Sequence, residues 1–353
     1  MKRQVMFLSL AVVSLCSACI TNKQDIKEIQ LLNKPPLSES NYDGFWAAID
    51  VSETDLNEMA LKKHIALCER TGADSQLVVY KNKIVSEWYS DRYEEPIGAM
   101  SSTKAIASIL IGQLVDDGLL DYSSKVASIL PEWQGGYRDN VEIVDLLTHT
   151  AGFDRRYGKN DSIGYVGNKR EFVLSLYPDF EPKTAFRYSN EAVQLLEPII
   201  LEVSGKNAQD FALERLFSVL GMRDTRFYDY GDSPWLYAEM LTTPRDLARI
   251  GLLMKNKGIW NDEQIVSSDY VRRATSSSPL NKEMGFLWWI LDGKKTVSGF
   301  YASGYLNTDM YVFADYDIIV VRTQSPQNGY SGSNESGNYF REAQKLFMQF
   351  VNK

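Results

Sequence analysis

Residues 96–117 form a nearly uncharged stretch that reads PIGAMSSTKAIASILIGQLVDD. From Ser101 to Asp117 it consists mostly of small and apolar residues, which is typical of a helix buried on most of its sides. Lys104 is the only basic residue in that helix. Since the turns after it are nearly uncharged, we expect the Lys104 amine to be partly buried and therefore to need a polar partner.

Ser101 and Lys104 are candidates for chemistry because Lys104 follows Ser101 by three residues. This spacing places both side chains on one face of a helix, about one turn apart. A serine hydroxyl is a weak nucleophile until a base removes its proton, and an amine with a lowered pKa can do so. A chain of this size holds roughly one such pair by chance. The alternative is therefore a helix-capping serine beside a solvated lysine.

Residues 188–190 read Tyr-Ser-Asn and offer a partner for Lys104. The Tyr-x-Asn pattern occurs three times in the chain, so the pattern alone does not discriminate. Position favours Tyr188, which lies between an extended segment and a helix that begins near Asn190. A phenol beside an ammonium has a lowered pKa, and Tyr188 as a phenolate can accept the Ser101 proton. The alternative is a tyrosine of the core.

The rest of the chain shows strands near both ends and helices between them. Predicted strands cover 76–80, 84–89, 285–291, 295–301, 308–314 and 318–323, and predicted helices cover 52–70, 244–257 and 338–351. The middle, from about residue 119 to 229, is mostly helical, with Asp139 and Glu142 predicted as a capping box. This order predicts one sheet built from the two chain ends, with a helical insertion between its strands.

Seven segments follow one another in the order found in a known group of enzymes. They are PIGAMSSTK (96–104), LLTHTAGF (146–153), FRYSN (186–190), LGMRDTRF (220–227), TTPRDLARIGLLM (242–254), GFLWWI (285–290) and YASGYLNTDMYVF (301–313). Together they resemble the serine β-lactamase-related hydrolases, which include class C β-lactamases, D-alanyl-D-alanine carboxypeptidases, β-lactamase-fold esterases and nylon-oligomer hydrolases. The resemblance covers about residues 76–323. It implies an α+β fold, an α/β sandwich with a mostly antiparallel sheet flanked by helices, plus an all-helical subdomain at about 119–230.

The same resemblance implies roles for the candidate residues. Ser101 is implied as the nucleophile that forms an acyl-enzyme, Lys104 as its neighbour on the helix, and Tyr188 as the general base. Asn190 resembles the family residue that hydrogen-bonds both the lysine and the substrate. No cofactor and no metal ion are expected for this chemistry.

A third family motif resembles Ala302-Ser303-Gly304, on a strand that lines the cleft. The backbone N–H of Tyr305 is implied to join that of Ser101 as an oxyanion hole. Ala302 departs from the family pattern, which has a lysine or histidine at this position. In penicillin-recognising members that cation helps to hold the substrate carboxylate. The departure therefore favours uncharged esters or amides over β-lactams and D-alanyl-D-alanine peptides.

His149 is the runner-up base, because Asp145 lies close by in sequence and the pair suggests a Ser-His-Asp arrangement. No Gly-x-Ser-x-Gly elbow surrounds any serine, and in the similar family the segment around His149 is a structural turn. Of the adjacent Trp288 and Trp289, one is expected to face the core and the other the cleft. The predicted function is an ester- or amide-cleaving serine hydrolase. The alternatives are a β-lactamase or D-alanyl-D-alanine carboxypeptidase, and a non-catalytic binding or sensor lipoprotein on the same scaffold.

The first nineteen residues combine a basic start, an apolar run and small residues before Cys19, which is the plan of an export signal. The end of this segment resembles a bacterial lipobox, so we expect residues 1–18 to be a signal peptide and Cys19 to carry lipid. Ordinary cleavage or a retained anchor is the alternative. Residues 19–43 are then a tether and 44–353 the hydrolase domain. These predictions place the protein in the cell envelope, bound to a membrane through its lipid, on the periplasmic face or at the cell surface.

Charge and composition narrow the function classes. The formal charge is −8, from 38 basic and 46 acidic residues, and no basic cluster suits a nucleic acid. The chain contains two histidines and no acidic or histidine pattern with metal-ligand spacing, so a metal is not expected. Its three cysteines do not suggest a disulfide framework, and His64 and Cys68 are interpreted as structural. A small-molecule ester or amide, or a peptide, is the expected substrate.

Overall fold

The computed structural model describes residues 44–154, 162–229, 233–293, 297–325 and 336–351. Its strands are β1 (Ala47–Ala48), β2 (Ser75–Tyr80), β3 (Lys83–Tyr89), β4 (Ile97–Gly98), β5 (Leu241–Thr242), β6 (Ile259–Trp260), β7 (Glu263–Gln264), β8 (Trp289–Leu291), β9 (Gly299–Ser303), β10 (Asp309–Phe313) and β11 (Ile318–Thr323). Seven of them form one sheet in the order β1-β3-β2-β11-β10-β9-β8. All of its pairs are antiparallel except β1 with β3.

Helices cover both faces of this sheet and fill the middle of the chain. They are α1 (Glu58–Arg70), α2 (Thr103–Asp116), α3 (Val126–Ile129), α4 (Ile143–Leu147), α5 (Ser162–Tyr165), α6 (Lys169–Ser175), α7 (Asn190–Gln194), α8 (Leu196–Ser204), α9 (Ala208–Ala212), α10 (Ser218–Leu220), α11 (Pro244–Lys255), α12 (Ser268–Ala274) and α13 (Ser336–Phe350). No helix in the described ranges is both long enough and apolar enough to cross a bilayer.

The side chains of β11 alternate between the two helical layers, as the pleat requires. Ile318 and Val320 pack into the cluster that contains α1 and α13. Ile319 and Val321 pack into the larger cluster that contains α2 and α11. All six residues of β11 are buried. The strand is covered by helices on both faces, which explains why its first four residues, Ile318 to Val321, are all apolar instead of alternating with polar ones. The α+β fold predicted from the sequence is confirmed.

Several predicted boundaries shift, and each shift has a local cause. The helix predicted over 52–70 begins at Glu58, because the Asn57 side chain accepts the Ala60 N–H at 3.1 Å and caps it. Of the strand predicted over 295–301, residues 295 and 296 lie outside the described ranges, and the observed strand covers 299–303, just before the turn that leads into β10.

The predicted capping box at Asp139 and Glu142 is wrong. The carboxylate that closes the helix start is Asp145, which accepts the Glu142 backbone N–H at 2.9 Å. Asp139 instead accepts the Gly135 N–H at 2.9 Å, within the preceding turn. The reason is register: helix α4 begins three residues later than the pattern suggested.

The domain boundaries stay predictions. Residues 1–43, which contain the predicted signal peptide, Cys19 and the tether, lie outside the described ranges. Helices α2 to α10 follow one another between β4 and β5 without contributing a strand to the seven-stranded sheet. This arrangement has the form of the expected helical insertion.

Candidate active site

Ser101 lies in a short 3₁₀ turn, Met100–Ser102, that runs directly into α2. Neighbouring backbone and hydroxyl groups fix this turn from two sides. The Ala99 N–H donates to the Met240 carbonyl at 2.7 Å, and the Ser102 hydroxyl donates to the Thr308 carbonyl at 2.6 Å. The Ser101 backbone is thereby held between the start of β5 and the loop after β9.

Lys104 is buried, with 2% of its surface exposed, as the sequence predicts. Its Nζ lies 3.0 Å from Ser101 Oγ and also donates to the Tyr237 carbonyl. The same Nζ lies 4.9 Å from the centroid of the Tyr188 ring. The structure therefore brings Ser101, Lys104 and Tyr188 together, although the chain separates the first two from Tyr188 by more than eighty positions.

Tyr188 has the access to solvent that Lys104 lacks, since 38% of its surface is exposed. Its ring stacks on Trp289, with centroids 6.3 Å apart and planes 16° apart. Trp288 is fully buried, so the adjacent tryptophans divide between core and cleft as expected. Ser189 accepts the Ala192 N–H at 3.1 Å and caps α7, whose first residue is Asn190. This cap fixes the direction in which the chain runs from Tyr188 into the helix.

His149 is buried next to Tyr188, with ring centroids 4.5 Å apart. Its Nδ1 accepts the Ser189 N–H at 3.2 Å, and its Nε2 has no hydrogen-bond partner in the part of the chain that the structure describes. Burial, and then the Lys104 charge, lowers the His149 pKa to about 3. The Asp145 oxygens accept from Glu142 and from Thr150 rather than orienting the imidazole. A Ser-His-Asp relay is therefore not assembled here.

The C-terminal end of β9 approaches the Ser101 turn so closely that only glycine fits at position 304. A Cβ on Gly304 would lie 2.7 Å from the Ala99 carbonyl oxygen and 3.1 Å from the Ser101 nitrogen. Ala302 is buried against the core, and the Ser303 hydroxyl donates to Asp309 at 2.7 Å. Tyr305 follows immediately at the start of a 3₁₀ turn. The absence of a side chain at 304 lets the two backbone segments meet.

A model of the beta-lactamase family matches residues 74–334. The chain belongs to the beta-lactamase family. It is 23% identical to the 6-aminohexanoate-dimer hydrolase of Paenarthrobacter ureafaciens over 73% of this chain and 74% of that protein. It is also 22% identical to a putative D-alanyl-D-alanine carboxypeptidase of Escherichia coli, over 84% of this chain and 82% of that protein. A putative 6-aminohexanoate-dimer hydrolase from Bacillus anthracis has the same fold, with a TM-score of 0.68, 19% identity and 79% of each chain covered.

Within this beta-lactamase-family chain, Glu239 is a site residue that the sequence analysis missed. It lies two residues after Tyr237, whose carbonyl binds Lys104, and it is half-buried. Its Oε2 lies 3.3 Å from the point where a Cβ on Gly98 would stand. Burial raises the Glu239 pKa to about 7, and the Lys104 charge opposes this rise. No motif in the sequence pairs residue 239 with Ser101, because long-range contacts join the two segments, among them the β4–β5 pair and the hydrogen bond from Ala99 to Met240.

No group of three metal-ligating side chains lies together in the described ranges.

Proposed function

We propose that this chain is a serine hydrolase that forms an acyl-enzyme at Ser101 and cleaves an ester or an amide. The observation that carries the proposal is the 3.0 Å separation of Lys104 Nζ from Ser101 Oγ, with the Tyr188 ring 4.9 Å from the same Nζ. Membership in a family of hydrolases supports it. A buried amine, a serine and a half-exposed phenol in this arrangement suit nucleophilic catalysis.

In the proposed acylation, Ser101 Oγ forms a bond to the substrate carbonyl carbon while its proton passes to the Tyr188 oxygen. The Lys104 ammonium balances the charge on that oxygen. The bond from the carbonyl carbon to the leaving group then breaks, and Tyr188 returns the proton to the leaving oxygen or nitrogen. Asn190, at the start of α7, is proposed to hold the substrate beside Lys104.

Deacylation runs through the same groups in reverse roles. Water attacks the acyl carbon, its proton passes to Tyr188, and the bond from that carbon to Ser101 Oγ breaks as Oγ regains a proton. The backbone N–H groups of Ser101 and Tyr305 are proposed to stabilise the negative oxygen of each tetrahedral intermediate. The close approach that Gly304 permits supports this assignment, since any side chain there would separate the two donors.

Ala302 supports uncharged short-chain esters as the better substrates. A cation at this position would add a charge-assisted hydrogen bond to a substrate carboxylate, worth roughly 1.5–3 kcal/mol. Arg187, next to Tyr188 in the chain, directs its Nη1 to the carbonyl of its own neighbour, Phe186, at 2.8 Å. We expect p-nitrophenyl butyrate to give a higher kcat/KM than nitrocefin or a D-alanyl-D-alanine peptide. The reverse order would favour the β-lactamase or carboxypeptidase alternative.

A fluorophosphonate probe tests the nucleophile. We expect the probe to label Ser101, located by peptide mass spectrometry, and Ser101→Ala to lose the label. Ser128→Ala is the control, because Ser128 is exposed on α3, its hydroxyl donates to the Lys125 carbonyl at 2.7 Å, and its loss should leave Ser101 labelled. Labelling that persists in Ser101→Ala would overturn the assignment, and a wild type that resists the probe and all three substrates would favour a non-catalytic binding or sensor protein.

We also propose that the protein is a lipoprotein of the cell envelope, anchored through Cys19. The short apolar run that ends at Cys19 supports this location. Cys19→Ala should abolish palmitate incorporation and release the protein from the membrane fraction. Unchanged palmitate labelling would show that another residue, or none, carries the lipid.

A further inference from the structure

Glu239 lies in the segment that holds the nucleophile turn. Two residues before it, the Tyr237 carbonyl accepts from Lys104. Directly after it, Met240 accepts from the Ala99 N–H and donates to the Thr103 hydroxyl at 3.0 Å. Glu239 itself has a φ of +65°, a conformation that non-glycine residues adopt only when their surroundings impose it. The backbone of residue 239 is therefore fixed beside the turn that carries Ser101, and its carboxyl Oε2 lies 3.3 Å from the position of a Cβ on Gly98.

The Glu239 carboxyl group has no polar partner within the described part of the chain. It forms no hydrogen bond there, and no ion pair within 4.0 Å. The positive charge that acts on it is that of Lys104, whose Nζ is already used by Ser101 and by the Tyr237 carbonyl. A half-buried carboxylate without a partner is unfavourable, because it has lost part of its hydration without compensation. A cation supplied from outside the protein would provide that compensation.

We propose that Glu239 is a specificity-determining residue that pairs with a cationic group of the substrate, such as an ammonium. The inference rests on the proposed hydrolase function and names its substrate class. Ala302 supports this assignment, because position 302 on β9 carries no charge, whereas Glu239, two residues before β5, carries a carboxylate. The charge pattern thus disfavours a substrate carboxylate and favours a substrate cation.

Two matched esters test the inference by turnover. They are p-nitrophenyl 4-(trimethylammonio)butanoate and p-nitrophenyl 5,5-dimethylhexanoate, which share shape and differ in charge. At pH 8.5, where the Glu239 carboxylate is ionised, we expect the cationic ester to have a kcat/KM about tenfold higher than the neutral one. Glu239→Gln should reduce this ratio to about one. Glu239→Lys should give a ratio below one and should favour the anionic p-nitrophenyl hydrogen adipate.

Glu69→Gln is the matched control. It removes the same charge from an exposed position on α1, on the other side of the sheet, and should keep the wild-type ratio. A ratio near one in the wild type, or an equal change in Glu69→Gln and Glu239→Gln, would overturn the inference. If both esters were hydrolysed but showed either of these outcomes, the role of Glu239 would be refuted while the proposed hydrolase function would still hold.

A binding measurement separates the inference from turnover altogether. The anilides of the same two acids can be titrated by calorimetry into Ser101→Ala, which cannot form the acyl-enzyme. We expect this protein to bind the cationic anilide about tenfold more tightly, and Ser101→Ala/Glu239→Gln to lose the difference. Equal affinities of Ser101→Ala for the two anilides would contradict the role of Glu239 whether or not the wild type hydrolyses esters.

Discussion

Two clusters on opposite faces of the sheet contain the same three kinds of side chain. At the cleft they are Lys104, Tyr188 and His149, and in the α1–α13 layer they are Arg322, Tyr339 and His64. Each basic group lies over its tyrosine ring, at 4.9 Å in the first cluster and 4.5 Å in the second. In each cluster burial, and then the neighbouring cation, lowers the histidine pKa to about 3.

The two clusters differ in access and in what the cation and the phenol contact. Tyr339 is fully buried, and its hydroxyl lies 3.0 Å from His64 Nε2. Arg322 donates to the backbone carbonyls of Leu306, Asn307 and Thr71, which it holds in place. This cluster therefore joins β11 to the loop after β9 and has no route to a substrate.

At the cleft the cation contacts a serine hydroxyl and the phenol is exposed. The histidines themselves do not distinguish the clusters. Each has one ring nitrogen without a hydrogen-bond partner among the described residues, Nδ1 in His64 and Nε2 in His149. The side-chain types, and even the lowered histidine pKa, are therefore the same in a cluster whose tyrosine is buried and in one whose tyrosine is exposed. The two clusters differ in the exposure of the tyrosine and in the group that the cation contacts, which is a serine hydroxyl at the cleft and backbone carbonyls in the buried cluster.

The largest effect is expected from Arg322→Met, which would break the buried cluster. It removes the donor to three carbonyls and leaves Asp309, which Arg322 stabilises electrostatically, buried without that cation. We expect the free energy of unfolding to fall by about 3–5 kcal/mol, measured by urea denaturation. Arg322→Lys should recover part of the lost unfolding free energy, because lysine restores the positive charge but not the planar guanidinium that donates to several carbonyls at once. A loss below about 1 kcal/mol would contradict the structural role of Arg322.

A pair of tyrosine variants sharpens the contrast in catalysis. Tyr188→Phe keeps the ring that stacks on Trp289 and removes only the hydroxyl, so we expect kcat for p-nitrophenyl butyrate to fall at least ~10²-fold with little change in Tm. Tyr339→Phe should leave kcat within about threefold and lower stability by about 1–3 kcal/mol, since His64 loses its partner. Lys104→Ala should lose activity like Tyr188→Phe.

The same kcat measurement with p-nitrophenyl butyrate tests His149, the alternative base. His149→Gln is expected to act through stability, with kcat of the folded fraction preserved. A folded His149→Gln that loses ~10²-fold in kcat, beside a nearly intact Tyr188→Phe, would move the base to His149.

The smallest effect is a pH dependence that the two clusters share. Both histidines have a folded pKa of about 3 against an ordinary value of 6.5, so below pH 6.5 the unfolded chain binds protons that the folded chain does not. Their contribution to stability is complete above about pH 6.5 and is lost as the pH falls towards 3. Replacing either histidine with glutamine should reduce the loss of unfolding free energy between pH 6 and 4 by about 2 kcal/mol. An unchanged dependence in His64→Gln would show that the buried ring is already charged.

The amino-acid sequence was sufficient to predict the buried helix after Ser101, the strands near both chain ends and the order of the seven family segments. These features depend on local periodicity and on motifs shorter than about fifteen residues, which a single sequence displays directly. It also predicted the burial of Lys104 and the division of Trp288 from Trp289, because both follow from the pattern of the element that carries them.

Three contacts are visible only in the folded protein. Lys104 also binds the Tyr237 carbonyl, the His149 Nδ1 accepts a backbone N–H, and Glu239 lies beside the turn that carries Ser101. Each of these contacts joins residues that are far apart in the chain. The β4–β5 pair and the capped start of α7 bring them within a few ångströms, and neither leaves a periodic pattern in the sequence. The charge interactions around Ser101 therefore cannot be derived from the sequence alone, since they depend on distances through space in the folded protein rather than along the chain.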